Sequence, residues 1–264
     1  MIENFASVRG LRLAWLDGGP AGAAPILALH GHFGRARRFA PLAAALAPGH
    51  RVIALEQRGH GHSGRDGDFG PDAYVADAAE FLRGLGLGPV IVLGHSMGGV
   101  AAFRLAARHP ELVRALIVEE GGADNRPPAI PHPVLDVRGW PRRAATLGEL
   151  RRGIEAQGIP DAGYFLESAV EHPDGWGLLF DYDDMVSSQQ ALIGDWWADW
   201  QGSTCPALLV HGLDSFVLPT AMAREMAARR PGTVLRELAG CGHWAQDDDP
   251  AAFAATVRAF LAAL

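Results

Sequence analysis

Short apolar runs alternate with longer amphipathic or alanine-rich stretches along most of the chain. The runs at 26–29, 52–55, 90–93, 112–118, 207–210 and 234–238 read as strands of a sheet. Helical patterns occupy 36–46, 72–84, 97–108, 220–229 and 250–264. Strand and helix in alternation predict an α/β fold, a mostly parallel sheet covered by helices on both faces. Residues 11–15, Leu-Arg-Leu-Ala-Trp, add an early antiparallel strand.

The rhythm breaks between 123 and 202. This segment is first proline-rich, with Arg126-Pro127-Pro128 and Pro131-His132-Pro133, and then acidic and aromatic. It has helical stretches around 147–156 and 164–170, no clear strand pattern, and an end marked by Trp196, Trp197 and Trp200. It is expected to be a helical cap inserted into a core made of 1–122 and 203–264. Most of its aromatics are expected in packed interior, with some lining a pocket beneath the cap.

Composition narrows the function. A chain of 264 residues with 48% hydrophobic content can bury a large core. Its net charge of -7 opposes sequence-independent binding to nucleic acid, which depends on Lys and Arg neutralising phosphates. All 23 basic residues are arginine, so there is no Schiff-base lysine and no P-loop lysine. No apolar segment is long enough to cross a bilayer and the amino terminus lacks a signal pattern, so the expected location is cytoplasmic. Cys205 and Cys241 are far apart and suit reduced thiols. The pairs His30/His32 and His60/His62 lack a metal-ligand continuation, and Asp181, Asp183 and Asp184 lack the calcium-loop pattern. No metal or cofactor is implied; the expected partner is a small-molecule substrate.

The most chemically specific run is Leu93-Gly94-His95-Ser96-Met97-Gly98-Gly99. It places one hydroxyl between an apolar strand and a small-residue helix. The reversal must be tight enough to strain the serine backbone, and glycine at 94 and 98 removes side chains that would collide there. The run reads as a nucleophile elbow, with Ser96 the expected nucleophile.

Other motifs follow in order: His30-Gly31-His32-Phe33-Gly34, then Glu56-Gln57-Arg58-Gly59-His60-Gly61-His62-Ser63-Gly64, and finally Gly240-Cys241-Gly242-His243-Trp244. Together with the elbow they resemble the alpha/beta-hydrolase family over nearly the whole chain, as an HGxxG oxyanion loop, a D-x-R-G-x-G-x-S turn with Glu56 in place of aspartate, and the loop bearing the catalytic histidine. The resemblance implies His243 as general base and then general acid, and an oxyanion hole made by the backbone amides of His32 and Met97.

Two acids compete for the third position. The family usually carries aspartate three residues beyond the glycine that ends the strand at 207–210. Here Gly212-Leu213-Asp214-Ser215 puts serine there and aspartate one residue early. Leu116-Ile117-Val118-Glu119-Glu120-Gly121 resembles a subgroup whose acid follows the preceding strand and which has the same Gly-x-x-Ser turn. Glu120 is therefore favoured over Asp214, with Glu119 pointing elsewhere.

Serine at the elbow argues against the dehalogenase and epoxide-hydrolase chemistry that the family runs on aspartate. The leading expectation is hydrolysis of carboxylic esters of small to medium, mostly apolar substrates through an acyl-enzyme. Lactone or thioester hydrolysis, carbon-carbon bond hydrolysis, perhydrolysis and cofactor-free oxygenation use the same residues. A ligand receptor on a hydrolase fold is the alternative of another class. Arg142, Arg143, Arg151 and Arg152 read as a solvated face, or else as a lure for a substrate carboxylate.

Overall fold

The computed structural model describes residues 1–264. In chain order the strands are β1 (Ile2–Val8), β2 (Leu11–Gly18), β3 (Ala24–Leu29), β4 (His50–Leu55), β5 (Val90–His95), β6 (Val113–Glu119), β7 (Ala169–His172), β8 (Gly175–Leu178), β9 (Ala207–Gly212) and β10 (Thr233–Leu238). The helices are α1 (Ala40–Leu46), α2 (Pro71–Gly84), α3 (Met97–Arg108), α4 (Leu147–Glu155), α5 (Gly163–Leu166), α6 (Tyr182–Leu192), α7 (Trp197–Gln201), α8 (Thr220–Arg229), α9 (Ala245–Asp248) and α10 (Pro250–Leu261).

Eight strands form one sheet in the order β1-β2-β4-β3-β5-β6-β9-β10. The β1/β2 and β2/β4 pairs are antiparallel, and every pair beyond them is parallel. All six residues of β5 are buried, as a central parallel strand requires. Its alternation sorts the core: Val90 and Val92 pack with α2 and α3, while Ile91 and Leu93 pack with α1 and α10. The α/β architecture and its mostly parallel sheet are as the pattern predicts.

Two elements depart from that reading. β1 was not foreseen, because Ile2-Glu3-Asn4-Phe5 is an exposed edge with no apolar run, and Ile2 is 72% exposed. Between β6 and β9 the helix expected over 164–170 stops at Leu166, and the chain enters the β7/β8 hairpin. The cause is local: Pro173-Asp174-Gly175 is turn chemistry, with Gly175 at φ 120°, and it folds Ala169–His172 back on Gly175–Leu178. The stretch between β6 and β9 is therefore helical with a small two-stranded sheet.

The stretch between β6 and β9 has a core of its own, including Trp140, Leu150, Ile154, Phe165 and Met185, and this core reaches down to Phe33. Thr146 caps α4 by accepting from the Glu149 amide, and Asp181 caps α6 by accepting from Asp183 and Asp184. Trp200 is fully buried, packs edge-on against Phe103 and donates to the Met226 carbonyl. Cys205 and Cys241 are free thiols. No helix is long and apolar enough to cross a membrane.

Candidate active site

Ser96 sits between the end of β5 and the start of α3 with φ 54° and ψ -119°, a conformation that L side chains seldom adopt. Its amide donates to the Glu119 carbonyl, tying the turn to β6. A methyl group at Gly94 would overlap the Gly98 carbonyl, and one at Gly98 would overlap the Leu29 carbonyl. Both glycines are therefore imposed by backbone crowding, and the serine is held up into a cavity.

That cavity has a volume of about 380 Å³, and Ser96, His243, Glu120, His32 and Met97 all line it. No arginine does. Its walls are largely apolar, from Phe33, Val100, Ile130, Leu135, Phe165 and Leu192 among others. The Ser96 hydroxyl and the His243 ring share this space without a hydrogen bond joining them in the free protein, where such bonds are often long.

Glu120 directly follows β6 with φ 57°, and its amide donates to the Val210 carbonyl. Its carboxylate is buried. Oε1 accepts from His211 Nδ1 at 2.9 Å and from the Gly212 amide at 2.8 Å, while Oε2 accepts from the Ser215 hydroxyl and lies 3.5 Å from His243 Nδ1. Burial alone would raise its pKa. The hydrogen bond from His211, the nearby His243 ring with the charge it can carry, and the Ser215 hydroxyl outweigh burial and hold the pKa at about 2.

Asp214 lies outside this group. It is exposed, its side chain makes no hydrogen bond, and its amide donates to the Cys241 carbonyl. The offset of one residue turns it away, while Ser215 at the usual aspartate position turns inward to Glu120. Glu119 also points elsewhere: its Oε1 accepts from the Gln246 amide, and full burial pushes its pKa up to about 8.

The loop after β3 is held from both sides. His30 donates from Nδ1 to the Gly31 carbonyl and accepts from the Gln57 amide at Nε2. Burial lowers its pKa to about 4, so it is neutral near pH 7. Glu56 pairs with Arg35 and accepts from the His62 amide, so the turn bearing it braces this loop. From the stretch between β6 and β9, the Tyr164 hydroxyl donates to the His32 carbonyl and Ser168 to the Phe33 carbonyl. The amides of His32 and Met97 donate no hydrogen bond within the protein. His95 supports the far side, its Nε2 donating to the His243 carbonyl at 2.8 Å.

A methyl at Gly31 would meet His95 Nδ1 at 2.8 Å and Ser96 Cβ at 3.0 Å, and one at Gly34 would meet the Tyr164 hydroxyl at 2.7 Å. Gly31→Val and Gly34→Val are each expected to lower kcat by about a hundredfold by displacing the loop, with the circular-dichroism melt still cooperative. Normal turnover in both variants would remove the loop amide from the site.

Arg142, Arg143 and Arg151 pair with Asp183, Asp174 and Asp161 at the surface, and none of them lines the cavity. The three tryptophans at 196, 197 and 200 do not line it either; Tyr164, Phe165, Phe216 and Trp244 do. His211 was missed in the sequence. It stands 91 positions from Glu120, and no motif marks it.

A family profile described as the alpha/beta hydrolase family matches residues 26–256. Among curated proteins, the sn-1-specific diacylglycerol lipase ABHD11 of Mus musculus is 27% identical over 98% of this chain and 88% of its own length. The 2-(acetamidomethylene)succinate hydrolase of Mesorhizobium japonicum is 28% identical over 87% of this chain and 85% of its own. Among solved structures, an E-2-(acetamidomethylene)succinate hydrolase superposes with a TM-score of 0.89 at 22% identity, covering 98% of both chains. The profile match spans most of the sequence, and it falls on the sheet and loops that build the cavity. This chain belongs to the alpha/beta hydrolase family.

Proposed function

We propose that the protein is a serine hydrolase that cleaves carboxylic esters of small to medium, mostly apolar acyl groups through an acyl-enzyme. In this reading Ser96 attacks the ester carbonyl while His243 Nε2 takes its proton. Glu120 orients the imidazole through Nδ1 and stabilises the imidazolium that forms. The amides of His32 and Met97 receive the oxygen as it gains charge. The proton then passes from His243 to the leaving alcohol, water activated by the same histidine attacks the acyl carbonyl, and Ser96 is released. The region 123–202 acts as the cap, excluding water and shaping the acyl site.

The observation that carries this reading is the buried Glu120 carboxylate facing His243 in the same cavity as an elbow serine. Apolar walls without a cation favour a neutral acyl chain over the dicarboxylate named for the succinate hydrolase. The mouse relative's lipase activity is in keeping with ester chemistry.

The test is a panel of nitrophenyl esters of increasing acyl length, run beside lactones, a diketone and a monosuccinate ester. A peak of kcat/KM at short or medium length, with the monosuccinate poor, is expected. Cleavage of the diketone without ester turnover would overturn the reading.

A further inference from the structure

The side chain of His32 has no part in the proposed steps, yet it lines the cavity. Its Nε2 lies 2.9 Å from Ser188 Oγ, which in turn lies 2.8 Å from the Tyr74 hydroxyl. Counting acceptors places the protons along this chain. Tyr74 is buried and Ser188 is its hydroxyl's one partner, so Tyr74 donates to Ser188; the reverse would strand the phenol proton. The Ser188 proton then has two acceptors within reach, His32 Nε2 and Met97 Sδ at 3.9 Å. A thioether is a weak acceptor, so the imidazole takes it.

A neutral imidazole that accepts at Nε2 carries its own proton at Nδ1. Burial, with His60 and His243 nearby, lowers the His32 pKa to about 3, which keeps the ring neutral near pH 7. Nδ1 has no partner within the protein. It is also not sealed from solvent, unlike the unpartnered ring nitrogens of His60, His95 and His243.

We propose that His32 Nδ1–H is a specificity-determining donor that binds an ether or keto oxygen on the acyl group next to the scissile carbonyl, with Ser188 and Tyr74 as the positioning residues that set its tautomer. The substrates so selected are uncharged esters such as alkoxyacetyl and acetoacetyl. The placement follows from chain connectivity, because the amide assigned to the carbonyl oxygen and this imidazole belong to one residue. The inference rests on the ester-hydrolase reading for its substrate class, but the donor itself is measurable without turnover.

Proton–nitrogen correlation spectra of the histidine rings, with His32 assigned by the signal lost in His32→Leu, are expected to show its proton on Nδ1. In Tyr74→Phe, which keeps the ring's shape, that preference should weaken. The kinetic arm is the kcat/KM ratio of nitrophenyl methoxyacetate to its isostere nitrophenyl butanoate. Intrinsic ester reactivity cancels when this ratio is compared between variant and wild type. It is expected to fall about three- to tenfold in both His32→Leu and Tyr74→Phe, the size of one neutral hydrogen bond. A proton on Nε2 in the wild type would overturn the donor, and an unchanged ratio in His32→Leu would overturn the substrate contact. Protonated Nδ1 with neither ester hydrolysed would sustain the donor and sink the esterase reading instead.

Discussion

Ser96→Ala is expected to reduce kcat toward nitrophenyl esters by about a million-fold, the loss seen when the nucleophile of a cooperating triad is removed. The variant should fold normally. The Ser96 hydroxyl makes no hydrogen bond in the free protein, and alanine keeps a Cβ in the same strained turn, so the thermal midpoint should move by about two degrees or less. A fluorophosphonate probe should add one equivalent to the wild type and none to Ser96→Ala, since only an activated serine reacts at useful speed. Retention of a hundredth of the wild-type rate would mean that another group performs the attack. Absence of labelling in the wild type would favour a binding protein on this fold.

The second large effect separates the two acids. Glu120→Gln is expected to lower kcat by about ten-thousand-fold, and Asp214→Asn to stay within about twofold of wild type. Both outcomes follow from position. Glu120 is buried opposite His243 Nδ1 and is held ionised by His211, His243 and Ser215, whereas Asp214 is exposed and its side chain makes no hydrogen bond to any of them. The amide would present an N–H₂ where the carboxylate accepts, leaving a buried donor facing a donor at a cost of about 1–3 kcal/mol. A melting curve on the same sample distinguishes lost stability from lost turnover. Equal activity in both amide variants would show that neither carboxylate orients the histidine.

Most of the scaffold was legible because parallel strands buried on both faces must be apolar throughout, as in Val90-Ile91-Val92-Leu93. The elbow was legible because crowding at 94 and 98 admits only glycine. Preference for Glu120 came from the resemblance of Glu119-Glu120-Gly121 to a subgroup whose acid follows that strand and which has a Gly-x-x-Ser turn; in the structure the Ser215 hydroxyl donates to the Glu120 carboxylate. What stayed hidden depends on tertiary contact. β1 is an exposed edge stabilised by pairing with β2, so its sequence carries little apolar signal. His211 meets Glu120, and Ser188 meets both His32 and Tyr74, only after distant elements dock. The β7/β8 hairpin was obscured by its short arms, although its Pro-Asp-Gly turn was in plain sight.

The register of the central strands has a consequence for how this chain matures. His95 lies opposite Glu119, and Glu119 opposite Val210, so the residues that follow β5 and β6 are aligned only after β5, β6 and β9 have zipped together across more than a hundred positions of chain. Parallel pairing over such separations is late and slow, because loop closure precedes any contact that rewards it. Helices can form well before that moment. Hydrolysis therefore reports completion of the native topology rather than regain of ellipticity, and a truncated or stalled nascent chain would be inert however helical it had become.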